Sequence, residues 1–552
     1  MSTSPYPDFE SETFPRNAAQ NLERMFAENK SLARALDVVL MLVLALIAGE
    51  YALNYNIFVQ AIPHDTTYHI YAAQQILDGH AIYRDVAIIK APLADFATAF
   101  AILAGRALGI SDIMSARLMS LLTFMATVSV TYWAGRVLFK SRIVGFIAGL
   151  IMAGWDFYGL RAVTGPEPKA FLILFALPAF ALIAQKRWTL AGVCAALTAL
   201  AWQPGLMVAA LAFAAACIAP WLETKRDATV NSWRVAFGQA LRVLGGFAIP
   251  FAFLFVYLLW NDAMIPAWNA AIGANVTHFN NEQARTPLLQ IIRNNYAEIF
   301  FVDARYCFSP LENWLWLTGA VGFVGMVLSQ IETTARTKRA PIHLDRTPLL
   351  LYTLGFAAFS LVDFDFCPDL FPLLPVVALA TGWLVWGAAR VAGELAAEYL
   401  KSSTVQVVHL GIVTAALALI VLVYLADVRA YTLNGMNFED QQYVVGVAKT
   451  YLAPGDTVLS FGNAIVLIEL QMPNATKIVH LGSKSGLGVL AFEPGGFQGM
   501  LDALERNPPK LITLARENHL DWQQPFYDWL AAHYEPADVF PRANMRFFIL
   551  RQ

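Results

Sequence analysis

Long apolar segments recur along the chain, and they constrain its fold more than any other feature of the sequence. The 552 residues are 57% hydrophobic and 14% charged, whereas a soluble protein carries about a quarter charged residues. A helix needs about 20 apolar residues to cross a bilayer, and the run from Val38 to Phe58 is the first that is long enough. The sequence therefore predicts an α-helical protein that crosses a membrane many times.

Short loops rich in Lys and Arg mark the cytoplasmic side of such a protein. They occur here near Lys140, Lys186, Lys225, Lys338 and Arg390. The loops and the apolar runs together predict about eleven transmembrane helices. These lie near residues 38–58, 115–138, 143–160, 170–185, 189–203, 205–220, 240–260, 311–329, 348–362, 370–387 and 404–426. An odd number of crossings places the C-terminus outside.

The segment 92–109 is apolar, but it is short and carries Asp95 and Arg106. If it crossed the bilayer, every later basic loop would lie outside, against the charge rule. We therefore expect it to form a helix in the outer membrane interface. The first outer loop then covers residues 59–114, and the second covers residues 161–169.

The composition divides the chain into three parts. Residues 1–35 are expected to form a cytoplasmic tail, with an amphipathic helix over 17–35, and residues 36–430 the transmembrane domain. The more polar residues 431–552 predict a small α/β domain outside. We expect strands at 457–462, 510–515 and 546–551, and helices at 438–452, 497–506 and 520–533. The glycine-rich run 482–488 fits no phosphate-binding loop.

Two further features bear on partners and on covalent structure. The net charge of -3 gives no reason to expect a nucleic-acid partner. Cys307 and Cys367 both fall in predicted outer loops, and whether they pair is left open, because sequence does not show proximity.

Ionisable residues are concentrated in the two predicted outer loops. Asp65, Arg84 and Lys90 lie in the first, and Arg161 and Glu167 in the second. Charged groups near a membrane are costly, so their concentration on one side indicates a site. Each also has a structural explanation: either acid could cap a helix, and Lys90 could anchor to lipid headgroups.

Taken together, these residues fit a site for a lipid phosphate. Lys90 stands just before an expected helix start, where backbone amides favour anions. Arg84 could make a forked contact to the same phosphate, and Arg161 is a further candidate. Asp65 could accept a proton from an acceptor hydroxyl. Glu167 could orient that acceptor or share a divalent cation, Mg²⁺ or Mn²⁺, with Asp65.

The residues around this site form a pattern that resembles a known family. In order, the pattern reads Asp65, Tyr68, Ala72, Leu77, Gly79, Tyr83-Arg84-Asp85, Lys90-Ala91-Pro92-Leu93, Leu108-Gly109, Ala116-Arg117-Leu118 and Glu167. It is similar to the GT-C-type glycosyltransferases that use lipid phosphosugars, which include bacterial aminoarabinose transferases and protein O-mannosyltransferases. The resemblance implies a GT-C-like fold, a polyprenyl-phosphate sugar donor, a catalytic acid at Asp65 and a phosphate-binding Lys90.

The chain departs from the family pattern at two candidate accessory residues. His64 stands where such enzymes often carry a second acid, and Asp369 stands where relatives often show a histidine. His64 could assist as a group that titrates near neutral pH, but an ordinary surface position is the simpler expectation for it.

The sequence thus predicts a hexosyl- or pentosyltransferase in the bacterial inner (plasma) membrane, with its active site and C-terminal domain facing the periplasm or exterior. Its partners would be a polyprenyl-phosphate sugar, a glycan, lipid or protein acceptor, and membrane lipids. Three alternatives remain. They are a lipid or polysaccharide transporter, a non-catalytic scaffold that works through residues 431–552, and an oligosaccharide ligase or polymerase with a diphosphate-linked donor. The transporter is disfavoured, because the charges crowd one face.

Overall fold

A computed structural model describes residues 29–223, 232–274, 276, 287–303, 308–337, 346–364, 366–399, 407, 411–420, 437–481, 488–515 and 523–551. Several predictions fall wholly or partly outside these residues. They include the amphipathic helix at 17–35, the span at 404–426, the pairing of Cys307 with Cys367, the loop at 482–488 and the helix at 520–533.

The described chain up to residue 420 is mainly helical. Its helices are α1 (Lys30–Asn54), α2 (His64–Leu77), α3 (Leu93–Ala107), α4 (Asp112–Phe139), α5 (Arg142–Ala153), α6 (Asp156–Thr164), α7 (Pro168–Ala184), α8 (Trp188–Ala201), α9 (Leu206–Glu223), α10 (Ser232–Trp260), α11 (Met264–Trp268), α12 (Leu288–Ala297), α13 (Pro310–Thr337), α14 (Thr347–Val362), α15 (Leu374–Tyr399) and α16 (Gly411–Ile420). A 3₁₀ helix, Cys367–Leu373, precedes α15.

The lengths of these helices make the chain a multi-pass membrane protein. Among the described residues, 6 helices are long and apolar enough to cross a bilayer, or 7 if α5 and α6 form one bent span. Shorter apolar helices are α7, α8, α14 and α16. The predicted spans lie on these helices, although the span at 143–160 covers both α5 and α6, and the span at 404–426 is described only at 407 and 411–420. The helical architecture is thus confirmed, whereas the number of crossings stays a prediction.

Two boundaries differ from the sequence-based expectation. Helix α1 already begins at Lys30, so residues 30–35 continue the first span and do not belong to a separate surface helix. The single span predicted at 143–160 is broken, because α5 and α6 meet at 68°. Residues 161–164 are therefore helical and do not form a loop. Two residues of α1 stabilise the break, since Tyr51 and Tyr55 donate hydrogen bonds to Asp156 at 2.5 and 2.8 Å.

The first outer loop contains two helices, α2 and α3. Helix α2 ends before Gly79, whose φ of 89° suits a residue that lacks a Cβ. Helix α3 spans 15 residues, fewer than a bilayer crossing needs. Its outward side chains Phe100 and Leu103 are 74% and 56% exposed, while Asp95 and Thr98 on the other side are buried. The predicted helix at 92–109 is therefore present, with the apolar surface that an interfacial helix presents to lipid.

The C-terminal residues form a small α/β unit. Its elements are α17 (Phe438–Tyr451), β1 (Val458–Phe461), α18 (Ile465–Leu470), α19 (Gly488–Leu490), α20 (Gly496–Arg506), β2 (Leu511–Ala515), α21 (Gln524–His533), β3 (Tyr534–Phe540) and β4 (Met545–Leu550). The strand order is β1-β2-β4-β3, with β1 and β2 parallel and the other pairs antiparallel. The three predicted strands are present. Strand β3, which follows directly on α21, was not predicted.

The C-terminal unit packs against α2. The Gln441 carboxamide is fully buried and exchanges two hydrogen bonds of 2.9 Å with the backbone of Ile62, just before the helix. Further bonds follow one face of α2: Thr67 accepts from the amide of Ala464, Tyr71 accepts from the amide of Asn474, and Gln74 donates to the carbonyl of Ile468. The helix that opens the first outer loop is thus wedged between the membrane helices and the C-terminal unit.

Candidate active site

Three of the predicted site residues converge between the two outer segments. The guanidinium Nη2 of Arg161 lies 3.5 Å from Oδ2 of Asp65 and 3.6 Å from Oε2 of Glu167. Arg161 and Glu167 are buried, whereas the Asp65 side chain is 37% exposed. A partly exposed carboxylate therefore lies beside a buried cation and a second buried acid.

The local structure explains how the two acids are placed. Asp65 lies in the first turn of α2, but Pro63 holds the N-cap position, so capping does not account for Asp65. Glu167 is the N-cap of α7 and accepts a hydrogen bond from the Lys169 amide at 3.4 Å. One carboxylate oxygen of Glu167 thus caps the N-terminus of α7, while the other faces Arg161. The capping explanation holds for Glu167 without excluding a second role.

The two acids do not form a good metal site in this arrangement. The Arg161 guanidinium lies within 3.6 Å of both carboxylates, close to where a divalent cation bridging them would stand. Among the described residues, no group of three His, Cys, Asp or Glu side chains is placed to hold a metal ion. The described residues at this site therefore do not fit a divalent cation shared by Asp65 and Glu167.

A second ion pair lies next to the first, and its cation, Lys169, was not among the predicted site residues. The Lys169 ammonium is 2.7 Å from Oδ1 of Asp369 and 4.9 Å from the centre of the Trp202 ring. Asp369 sits in the 3₁₀ helix before α15 and is itself buried. The sequence signal was present, since Lys169 follows Glu167 by two positions. Its partner, however, is 200 residues away.

Lys90 is held through its backbone, and its side chain is left available. The Tyr83 hydroxyl donates to the Lys90 carbonyl at 2.9 Å, and Gln203 donates to the Ile89 carbonyl at 2.7 Å. Gln203 follows Trp202, whose ring lies beside Lys169, so Lys90 is anchored to the segment next to the second ion pair. Within the described part of the chain, the Lys90 ammonium makes no ion pair or hydrogen bond.

Arg84 is engaged elsewhere. Its guanidinium donates two hydrogen bonds to Asp85, at 2.9 and 2.8 Å, and a third to the carbonyl of Asn261 at 2.7 Å. The hydrogen bond from Arg84 lowers the pKa of the Asp85 carboxyl. These contacts tie Arg84 to the turn between α10 and α11, and the structure does not bring it to Asp65.

The position of His64 differs from the surface position that was expected for it. It is the first residue of α2 and only 5% exposed, so the expected surface position is wrong. The backbone carbonyl of His64 accepts a hydrogen bond from the Thr67 hydroxyl at 2.7 Å. His64 is therefore part of the packed start of the helix that carries Asp65.

Comparison with known proteins supports the fold. No family model matches the chain, and no curated protein matches it. Among solved structures, it is similar to ArnT from Cupriavidus metallidurans in the apo state. The identity is 15% and the TM-score 0.51, with 94% of this chain and 98% of that chain covered. The GT-C-like fold expected from the sequence is thereby confirmed, and this chain shares the fold of that ArnT along nearly its whole length.

Proposed function

We propose that this protein is a membrane glycosyltransferase that moves a sugar from a polyprenyl-phosphate donor to an acceptor hydroxyl at the outer face of the membrane. One observation carries the proposal: Asp65 meets Arg161 and Glu167 across two separate outer segments. The contact of Asp65 with Arg161 and Glu167 occurs in a chain that shares the fold of ArnT, an aminoarabinose transferase.

In the proposed reaction, Asp65 acts as the general base. Its carboxylate takes the proton of the acceptor hydroxyl, whose oxygen forms a bond to the anomeric carbon of the sugar. The bond between that carbon and the phosphate oxygen breaks, and the phosphate leaves with the electron pair as polyprenyl phosphate. The partial exposure of Asp65 supports this role, because the acceptor must reach it from outside.

The cations have two proposed roles. Arg161, between the two acids, would hold the Asp65 carboxylate in its orientation. Lys90 and Lys169 would bind the donor phosphate and stabilise the charge that grows on the leaving oxygen. Lys90 is suited to this because no anionic side chain in the described part of the chain pairs with it. Asp369 holds Lys169 in place and so serves as a positioning residue.

The membrane surface suits the donor's hydrocarbon tail. Phe100 and Leu103 of the interfacial helix α3 are exposed, and α3 begins directly after the Lys90 segment. A tail lying along α3 would therefore carry its phosphate towards Lys90. This arrangement also fits an active site at the periplasmic side of a bacterial inner membrane.

The proposal is tested by transfer from a synthetic polyprenyl-phosphate sugar, with an extract of the host's envelope lipids and glycans as acceptor. Asp65→Asn should slow transfer by about 100-fold or more, the usual contribution of a general base. Asp78→Asn, an exposed acid at the end of the same helix, should transfer normally. Undiminished transfer by Asp65→Asn would remove that residue from the mechanism. Faster transfer from a diphosphate-linked sugar would favour the ligase or polymerase alternative.

A further inference from the structure

A buried polar pair, His69 and Asp95, has no part in the mechanism above. Nδ1 of His69 lies 2.6 Å from Oδ1 of Asp95, and the two residues are 1% and 0% exposed. Both belong to the outer segments around the proposed site. His69 is on α2, and Asp95 is in the first turn of α3.

The position of this pair relates it to the two sides of the proposed site. His69 lies one helical turn after Asp65, on the same face of α2. Asp95 lies at the start of α3, directly after the segment of Lys90. The hydrogen bond therefore joins the helix that carries the proposed base to the helix that follows the proposed phosphate ligand.

The backbone around Lys90 is held firmly, so a change in the position of α3 would also change the position of Lys90. Tyr83, which has a φ of 71°, donates its hydroxyl proton to the Lys90 carbonyl. Such a backbone conformation is costly for an aromatic residue and persists only where the surroundings impose it. Pro92 then caps α3 two residues after Lys90. A shift of α3 relative to α2 would consequently move Lys90 relative to Asp65.

Keeping this pair buried has a cost that packing alone does not explain. Within the described residues, Nε2 of His69 and Oδ2 of Asp95 are buried without a hydrogen-bond partner. Leaving such an atom without a partner destabilises the folded state, whereas two apolar side chains would pack between the helices without that cost. What a polar pair adds is direction, since a hydrogen bond accepts a narrow range of distances and angles.

We propose that His69 and Asp95 are positioning residues whose hydrogen bond sets the distance between the Asp65 carboxylate and the Lys90 ammonium. This inference rests on the proposed glycosyltransferase activity. Loss of the bond would leave both groups present, but it would displace the Asp65 carboxylate relative to the Lys90 ammonium by up to about 1 Å. A displacement of about 1 Å can cost 100-fold in rate.

The test compares matched variants at His69. His69→Phe keeps a ring but removes the bond, whereas His69→Asn places an amide N–H close to the position of Nδ1. We expect His69→Phe to lower kcat by about 10- to 100-fold with little change in the donor KM, because Lys90 still binds the phosphate. His69→Asn should recover most of kcat. Combining His69→Phe with Asp95→Leu should lower kcat no further, since both changes remove one bond.

Stability and hydrogen exchange separate the possible outcomes. If His69→Phe keeps the wild-type kcat, or if His69→Asn falls as far as His69→Phe, the inference is wrong. If all variants lose kcat only in proportion to a lower Tm, the pair is merely structural. If the wild type transfers no sugar, the proposed function fails. The positioning claim is then judged by whether His69→Phe speeds amide exchange across residues 90–98.

Discussion

Arg84 and Lys90, the two candidate phosphate ligands of the first outer loop, differ in their contacts. The Arg84 guanidinium donates hydrogen bonds to Asp85 and to a backbone carbonyl, while the Lys90 ammonium has no partner within the described residues. A side chain that binds an incoming phosphate gains most when it does not first have to leave another anion. The sequence pattern makes both residues candidate phosphate ligands. The structure engages Arg84 in other contacts and leaves the Lys90 side chain available for that role.

This difference predicts unequal effects of truncation. Lys90→Ala should lower kcat/KM for the donor by about 100-fold, comparable to the loss of one oxyanion-stabilising donor. Arg84→Ala, the matched control on the same loop, should stay within about threefold, because an exposed ion pair contributes little. Steady-state transfer with varied donor measures both. A larger loss in Arg84→Ala than in Lys90→Ala would reverse the assignment.

Glu469 on α18 predicts a pH effect on stability. Burial, opposed by Lys449 and reinforced by Asp112, raises its pKa above the ordinary 4.5. The folded protein therefore holds this proton more tightly than the unfolded chain does. As pH rises through 4.5 and past the folded pKa, the unfolded state gains, and a penalty on folding develops.

Glu469→Gln removes this penalty. The variant should unfold at a higher temperature than wild type at pH 7.5, because it carries no buried charge there. The difference should vanish towards pH 4.5. Thermal unfolding in detergent across this pH range measures it, and a variant less stable than wild type at pH 7.5 would contradict the sign.

At the scale of elements, α2 is the helix on which the proposed site depends. One face, with Thr67, Tyr71 and Gln74, bonds to the C-terminal unit. His69 bonds to α3, and Asp65 faces Arg161. A helix of 14 residues is marginal by itself in water, so these contacts determine where it lies. The C-terminal unit is thereby part of the support of the site.

The Gln441 carboxamide gives this dependence a direct test. Gln441→Leu would leave the buried N–H and C=O of Ile62 without partners, at about 1–3 kcal/mol each. We expect faster amide exchange over residues 59–70 and slower sugar transfer. Gln498→Leu is the control, since among the described residues its exposed side chain bonds only to Asp502 within its own helix. Unchanged exchange in Gln441→Leu would mean that the C-terminal unit does not hold α2.

At the scale of the whole molecule, the sequence predicted what depends on local composition. Apolar length located the membrane helices, and the glycines at 79 and 109 agree with the ends of α2 and α3. The strands β1, β2 and β4 followed from their apolar runs. Strand β3 was missed, since residues 534–540 show no clear alternation and contain Pro536.

The rest depended on contacts between distant residues. Lys169 finds Asp369 at a separation of 200 residues, and Arg84 finds Asn261 at 177. The bend between α5 and α6 is held by tyrosines of α1. Such pairings arise from packing and cannot be found by periodicity or charge counting along a single sequence. For the same reason, the sequence named Asp65, Arg161 and Glu167 but could not show that they meet.

The lipid that co-purifies with the protein tests the central claim most directly, because this measurement needs no knowledge of the acceptor. Mass spectrometry of lipids extracted from wild type and from the Lys90→Ala, Lys169→Ala double variant would identify it. We predict an isoprenoid monophosphate in the wild-type sample, with or without an attached sugar, and a clear loss of it in the variant. The absence of any isoprenoid phosphate from wild type, or equal amounts in both samples, would contradict the account.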